Sequence, residues 1–132
     1  MHNYAYMNIK DYTAIFKILS VITRLKITWI LKKARKPLCV CEIMDILKEP
    51  HYNVSRHLKE LKNVHLVEEK KEGKWVFYSL TKEKDPFIKA LLKTIERIPK
   101  KFFTAEEENL KKRLSLRKDN KVVVGLKRRN KK

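Results

Sequence analysis

The apolar residues near the start of the chain follow a helical repeat. They fall at Tyr12, Ile15, Phe16, Leu19 and Ile22, and this i, i+3, i+4, i+7 spacing places them on one face of a helix. The pattern predicts an amphipathic first helix over this stretch. The ten residues before it are then an N-terminal arm.

Two more helices are predicted before residue 50. The segment TRLKITWILKKA has a helical pattern, and Thr23 offers a hydroxyl group as its N-cap. A short third helix is expected to start between Leu38 and Cys41. It ends at Glu49, because the residue before Pro50 avoids the helical backbone conformation.

The next segment, HYNVSRHLKELKNVHL, predicts a fourth helix with one apolar and one polar face. Val54, Leu58 and Leu61 form the apolar side. Arginine, asparagine and serine at helical spacing can reach base edges in DNA, and lysines suit phosphates. Taken alone, such a face is more typical of an ordinary solvated helix. The residues concerned are Tyr52, Asn53, Ser55, Arg56, Lys59 and Lys62, with His57 beside the apolar stripe.

The segment after the fourth helix favours the DNA-binding reading. In LVEEKKEGKWVFYSLT, apolar and polar residues alternate on both sides of Glu72 and Gly73, which predicts a two-stranded hairpin. Gly73 is one of only two glycines and suits a tight turn that needs positive φ. Because Lys70, Lys71 and Lys74 cluster at its tip, the hairpin is predicted to be a basic wing.

Two further helices are predicted after the wing. Asp85 is placed as an N-cap and Pro86 as the first helical residue of an apolar fifth helix that ends near Pro99. The sixth, AEEENLKKRLSL, has acidic residues at its start and basic residues at its end. The helix macrodipole favours this arrangement.

Composition adds an electrostatic constraint. The 132 residues suit one domain, and their formal charge of +18 favours an anionic partner, DNA before a membrane surface. Residues 100–132 carry 13 Lys and Arg against 4 Asp and Glu, so a domain over residues 11–99 is followed by a basic extension. We expect this extension to be partly helical, and its end, GLKRRNKK, to be disordered until it meets phosphate. No apolar run exceeds four residues, which predicts a cytoplasmic protein without a membrane span.

The only two cysteines, Cys39 and Cys41, lie in LCVCEIM. In a reducing compartment we do not expect a disulfide between them. We expect free thiols, metal ligands or reactive groups instead. Residues i and i+2 lie about 200° apart on a regular helix, so both could ligate one ion only at a frayed first turn. Thiolates favour As(III), Sb(III) or another thiophilic ion. The alternative is that both cysteines are small, partly buried residues flanking Val40.

The order of elements and several motifs resemble those of ArsR/SmtB-type repressors. The matching motifs are TRLKITWIL, LCVCEIM, VSRHLKELKNVHLVEEKKEGKWVFYSL and LKKRLSLRKDNKVVVG, within residues 12–125. The resemblance implies a mainly α winged helix-turn-helix fold with a two-stranded wing. It also implies a homodimer formed through the first and fifth helices, which binds a palindromic operator. It places the sensor at Cys39 and Cys41, with release when a thiophilic ion, first of all As(III), fills that site.

The chain departs from the family pattern in its ligands and in its recognition helix. The zinc-type site of the family uses histidine on the fifth helix, but no histidine follows His65. The arsenic-type pattern often has a third cysteine, and Met44 and Val122 occupy the two places where it occurs. Pro50, His51 and Tyr52 stand where small polar residues are usual before the VSRHL core, so operator preference does not carry over.

The sequence leaves three alternative functions open. The protein could be a non-specific basic nucleic-acid binder, driven by counterion release. It could also be a repressor that responds to thiol oxidation, or one that needs no inducer. Enzymatic activity is not expected, because no catalytic pairing, phosphate loop or catalytic metal cluster stands out, and no organic cofactor is expected.

Overall fold

The computed structural model describes residues 7–82 and 85–125, which contain six α-helices, three β-strands and one 3-10 helix. The first six residues of the predicted arm and all but the first residue of GLKRRNKK lie outside the described residues. In chain order the elements are α1 (Ile9–Leu19), α2 (Ile22–Ala34), β1 (Leu38–Cys39), α3 (Val40–Leu47), α4 (His51–Asn63), β2 (Val67–Glu72), β3 (Trp75–Leu80), α5 (Pro86–Glu96), the 3-10 helix (Lys100–Phe103) and α6 (Thr104–Leu114).

Helix α1 begins earlier than its apolar pattern predicts. Asn8 is its N-cap, and Asp11 reaches back to accept a hydrogen bond from the Asn8 N–H at 2.8 Å. This capping box starts the helix at Ile9, three residues before Tyr12. The assignment of Ile22 to the same helix was wrong, because the chain turns before it and Ile22 is the first residue of α2.

Helix α2 crosses the centre of the domain. Its N-cap is Val21, so the prediction of Thr23 as the cap was wrong, and Thr23 lies within the first turn. Five consecutive residues are buried, which shows that the helix is covered on all sides rather than along one stripe. They are Ile27, Thr28, Trp29, Ile30 and Leu31.

The wing contains one strand more than the sequence predicts. Strand β3 pairs with β2 and, on its other side, with β1, giving an antiparallel sheet in the order β1-β3-β2. Cys39 lies opposite Phe77 in the short β1 pairing. The predicted hairpin is confirmed, since Glu72 pairs with Trp75 and Gly73 has φ +61° in the turn between them. Two residues are too short a strand to show an alternating pattern, which is why β1 was taken as the start of a helix.

Helices α3 and α4 form the helix-turn-helix, and α2 holds α4 in place. His57 of α4 is buried, and its Nδ1 atom accepts a hydrogen bond from Arg24 Nε of α2 at 3.1 Å. Burial lowers the pKa of His57 from its usual 6.5, and the charges of Arg24 and Arg56 lower it further. The neutral ring is therefore a structural contact between the two helices.

The predicted basic extension is largely part of the folded domain. Phe103 stacks on Trp29 with ring centroids 4.5 Å apart, and Leu110 of α6 is buried. After α6, residues 115–125, which we call the strap, run past β1 and α3. Lys118 and Lys121 exchange two backbone hydrogen bonds of 2.9 Å around a turn whose two central residues have positive φ.

One buried ion pair fastens the strap to α3. Arg117 Nε and Nη2 donate to the two carboxylate oxygens of Glu42 at 2.8 and 2.7 Å. Arg117 Nη2 also donates to the carbonyl oxygen of Pro37 at 2.8 Å. The side chains are 6% and 1% exposed, so each charge depends on the other in place of water.

In the described part of the chain, none of the helices is long and apolar enough to cross a membrane.

Removal of the Arg117 charge should destabilise the folded domain. In Arg117→Met the Glu42 carboxylate stays buried without a cation, so we expect the free energy of unfolding to fall by about 3 to 5 kcal/mol. Urea unfolding under reducing conditions measures this. The matched control Lys118→Met changes an exposed neighbour and should shift the value by less than about 0.5 kcal/mol. Equal effects of the two substitutions on the free energy of unfolding would contradict a stabilising ion pair between Arg117 and Glu42.

The buried imidazole predicts a pH dependence. The folded state lowers the pKa of His57, so its contribution to stability is full above the unfolded value of about 6.5 and is lost as pH falls through the folded pKa. His57→Gln can still accept from Arg24 but cannot titrate. We expect the melting temperature to fall more in the wild type than in His57→Gln between about pH 7 and pH 5. His51→Gln, at an exposed position, should keep the wild-type pH slope.

Candidate DNA interface and thiol site

Helix α4 presents an exposed edge of aromatic and basic side chains. Tyr52 is 72% exposed, and the Arg56 guanidinium lies 5.6 Å from the centre of its ring. Lys59 and Lys62 continue the exposed surface along the helix. This geometry holds Arg56 against an apolar ring while its donors face solvent, an arrangement that suits contacts with base edges and phosphates.

Two of the predicted polar residues are less exposed and already hydrogen-bonded. Asn53 Nδ2 donates to Glu49 Oε1 at 3.0 Å, and Ser55 Oγ lies 3.3 Å from the His51 ring. Both contacts join residues four apart on one side of the helix. They brace the first turns of α4 beside the Tyr52 edge.

The wing carries its three predicted lysines on the exposed surface. Lys70 lies 3.7 Å from Glu72, and Lys74 lies over the Trp75 ring at 4.9 Å. Lys71 is also exposed. The wing is therefore basic at its tip, although the Glu72 carboxylate offsets part of the charge of Lys70.

A polar chain connects the wing to α4. Lys62 of α4 lies 3.3 Å from Glu69 of β2, which accepts a hydrogen bond of 2.8 Å from the Tyr78 hydroxyl of β3. Burial raises the pKa of Tyr78 to about 12, with the Glu69 hydrogen bond adding to the rise. Tyr78 therefore remains a hydrogen-bond donor at neutral pH.

The two cysteines flank the start of α3, and the structure joins them by a disulfide. Cys39 precedes the helix with extended backbone angles, φ −81° and ψ 161°, and is 1% exposed. Cys41 is the second helical residue and is half-buried. The expectation that no disulfide forms was therefore wrong. That expectation rested on a reducing compartment, whereas the structure places the two Cα atoms 5.5 Å apart, within disulfide range, with Cys39 extended and Cys41 helical.

A charged side chain from α6 reaches the thiol site. Arg113 Nη2 lies 3.5 Å from Cys41 Sγ and donates to the Val124 carbonyl oxygen at 2.6 Å and to that of Gly125. Arg113 Nε lies 3.2 Å from the Asp45 carboxylate. The side chains of this second ion pair are 3% and 8% exposed. The cysteine pair thus lies between the wing sheet on one side and a buried guanidinium on the other.

Within residues 7–82 and 85–125, no group of three or more His, Cys, Asp or Glu side chains is placed to hold a metal ion. The two sulfurs nevertheless converge, and soft sulfur donors fit a thiophilic ion. Of the two places where the family pattern often has a third cysteine, Met44 is 5% exposed and Val122 is half-buried in the strap.

The sequence pattern did not reveal the side chains that connect these surfaces. Arg113 and Arg117 were predicted to belong to a basic extension, and Glu42 had no predicted role. Two signals were present in the sequence: an acid three residues after Cys39, which is the spacing of a capping box, and two arginines four residues apart around the end of the predicted sixth helix.

Comparisons with known proteins agree with this geometry. Residues 23–69 match the model of the family described as bacterial regulatory protein, arsR family. The chain is 37% identical over 84 residues to an uncharacterized HTH-type transcriptional regulator of Methanocaldococcus jannaschii, a match that covers 64% of this chain and 90% of that protein.

Two further relatives carry names that refer to resistance. A cadmium resistance transcriptional regulatory protein CadC homolog of Staphylococcus aureus is 40% identical over 79 residues, covering 60% of this chain and 64% of that protein. An arsenical resistance operon repressor of Escherichia coli is 40% identical over 67 residues, covering 51% and 56%. The match spans less than two thirds of either relative.

Among solved structures, reduced HlyU from Vibrio cholerae superposes with a TM-score of 0.58 at 27% identity, over 67% of this chain and 88% of that one. The helix-turn-helix, the wing, the family match and the long match to the archaeal regulator lead to one conclusion. The chain belongs to the arsR family of bacterial regulatory proteins, and it is a DNA-binding transcriptional regulator rather than an enzyme.

Proposed function

We propose that this protein is a dimeric repressor whose DNA binding is released when a thiophilic ion, first of all As(III), binds Cys39 and Cys41. The observation that carries the proposal is the convergence of the two sulfurs at the junction of β1 and α3. That junction belongs to the helix-turn-helix, and α4 begins only a few residues after α3 ends. An event at the thiols therefore acts close to the DNA-binding surface.

The operator is bound by α4 and the wing in this proposal. Tyr52, Arg56 and Lys59 form the outward edge that enters the major groove, supported by Asn53 and Ser55. The wing lysines Lys70, Lys71 and Lys74 contact phosphates, as Lys62 does from the end of α4. His57 has a packing role, because it is buried against Arg24.

The dimer is proposed to form through α1 and α5. Tyr12 and Phe16 of α1 pack edge-on against Phe87 of α5, with ring centroids 4.9 and 5.9 Å apart. Ile9 and Phe16 are 74% and 55% exposed in the single chain, so an apolar surface beside this cluster is available for a second copy. Two copies related by a twofold axis would match a palindromic operator.

The ion chemistry follows from the donor set. Two thiolates favour soft ions, and the names of the relatives mention arsenical and cadmium resistance. The Glu42 carboxylate is occupied by Arg117, so it is not a free hard ligand. Two protein sulfurs leave a coordination position for a small-molecule thiol or water, and we expect weaker selectivity than in a site with three cysteines.

A second candidate function uses the same cysteines as a redox switch. It is favoured by the disulfide between Cys39 and Cys41. Two thiols would give two electrons and two protons to a peroxide, forming the disulfide and two water molecules from hydrogen peroxide. A bonded pair cannot ligate an ion, so oxidation and ion binding compete for one site.

Cysteine substitution tests the proposed function. For reduced wild type, arsenite should weaken operator binding by about 5- to 150-fold, a range typical of allosteric coupling. Cys39→Ser and Cys41→Ser should each abolish this response, while Met44→Leu, which keeps both thiols, should retain it. Fluorescence anisotropy with labelled operator measures the effect. A full arsenite response in both serine variants would exclude the site, and loss of binding with peroxide alone would favour the redox switch.

Substitutions should distinguish base contacts from phosphate contacts. Arg56→Ala should weaken operator binding by about 1 to 3 kcal/mol and affect random DNA far less. Lys71→Ala should weaken both complexes alike and reduce the slope of binding against salt by about 1. The exposed Lys111→Ala on α6 is the matched charge control and should change neither. Equal loss on both DNAs for Arg56→Ala would support non-specific binding instead.

A further inference from the structure

One carboxylate connects the thiol site to the strap. Glu42 Oε1 accepts a hydrogen bond of 3.0 Å from the backbone N–H of Cys39 and one of 2.7 Å from Arg117 Nη2. Arg117 also holds the Pro37 carbonyl oxygen at 2.8 Å, two residues before Cys39. Arg117, which follows α6, thus links the backbone before the first cysteine to the Glu42 side chain after it.

A second guanidinium meets the other cysteine. Arg113 Nη2 contacts Cys41 Sγ at 3.5 Å, and the same nitrogen holds the strap carbonyls of Val124 and Gly125. Its Nε lies 3.2 Å from Asp45, one helical turn after Cys41. Displacement of the Cys41 sulfur therefore affects the group that secures the end of the strap.

Helix α6 also holds the far end of α3. Asn109 Nδ2 donates to the carbonyl oxygen of Ile46 at 3.0 Å. The three α6 and strap contacts lie along α3 from its first turn to its last, and α3 leads directly to α4. Both ion pairs are buried, so they cannot separate and rejoin at low cost in the way exposed pairs do.

We propose that Arg113 and Arg117 are positioning residues of the thiol sensor: they hold the first turn of α3 and transmit a change at the cysteines to α3. The inference rests on the proposed function, in which those thiols bind the inducer and α4 binds the operator. Neither arginine ligates the ion. Their effect is on the coupling between the two binding events, which is a ratio of operator affinities with and without inducer.

Charge-preserving substitutions test this role. Arg117→Lys and Arg113→Lys keep the net charge, and hence the long-range attraction to DNA. Arg117→Lys loses the two-pronged contact with Glu42, and Arg113→Lys loses the planar group that reaches Asp45 and the strap carbonyls at once. Two controls are matched to them. Arg97→Lys makes the same exchange at an exposed position, and Leu110→Val destabilises α6 without touching either ion pair.

Three quantities are measured on the full reduced chain. Thiolate absorption reports arsenite binding, anisotropy reports operator affinity with and without arsenite, and amide hydrogen exchange reports protection of the first turn of α3. We expect both lysine variants to bind arsenite within about threefold of wild type, whereas the ratio of operator affinities falls at least about fivefold. Exchange at the Glu42 and Ile43 amides should be faster in Arg117→Lys, even without arsenite. Arg97→Lys and Leu110→Val should keep the wild-type ratio.

The outcomes separate this inference from the proposed function. If both lysine variants keep the wild-type ratio of operator affinities, the inference is overturned and the proposed function stands. The same holds if Leu110→Val lowers this ratio as much as the lysine variants do. A wild type that does not respond to arsenite, or whose response survives Cys39→Ser, overturns both. Should the lysine variants fail to fold, Glu42→Gln combined with Arg117→Gln removes both charges together. We expect this double variant to fold and to bind the operator equally well with and without arsenite.

Discussion

The Glu42 carboxylate must be satisfied inside the domain, and much of the local structure follows from that requirement. It is 1% exposed and lies in the first turn of α3, where backbone N–H groups have no helical partner. One oxygen satisfies the Cys39 N–H, and Arg117 neutralises the charge with two hydrogen bonds. Because Arg117 lies beyond α6, the chain must run back across α3 to bring the guanidinium to Glu42. The strap is the segment that does this.

Further polar contacts connect α4 and the wing to the rest of the domain. Arg24 and His57 connect α2 to α4, and Glu69 connects α4 to the wing through Lys62 and Tyr78. These contacts set the angle of α4 and the wing relative to the core, while the aromatic and basic side chains in front of them remain exposed. Directional hydrogen bonds suit this task better than apolar packing, which tolerates small rotations.

The sequence predicted those parts of the structure that repeat. All six α-helices, the hairpin turn at Gly73 and the exposed lysines of the wing follow from periodicity, turn chemistry and charge. It did not predict β1, because two residues carry no repeat, nor the N-caps at Asn8 and Val21. The ion pairs were missed for a different reason. Arg117 and Glu42 are 75 residues apart, and a run of basic residues gives no sign of which one is buried.

The position of the cysteines explains how one pair of thiols could serve either of two signals. Cys39 is held in extended backbone by the β1 pairing with Phe77, and Cys41 is already helical, so the two sulfurs meet across the boundary between strand and helix. A bond between the sulfurs and an ion shared by them require different separations, since sulfur ligands stand farther apart around a metal than in a disulfide. The difference must be absorbed by the backbone at this boundary. Strand pairing limits movement on one side, so the adjustment falls on the first turn of α3, where Glu42 and the two arginines already hold the chain.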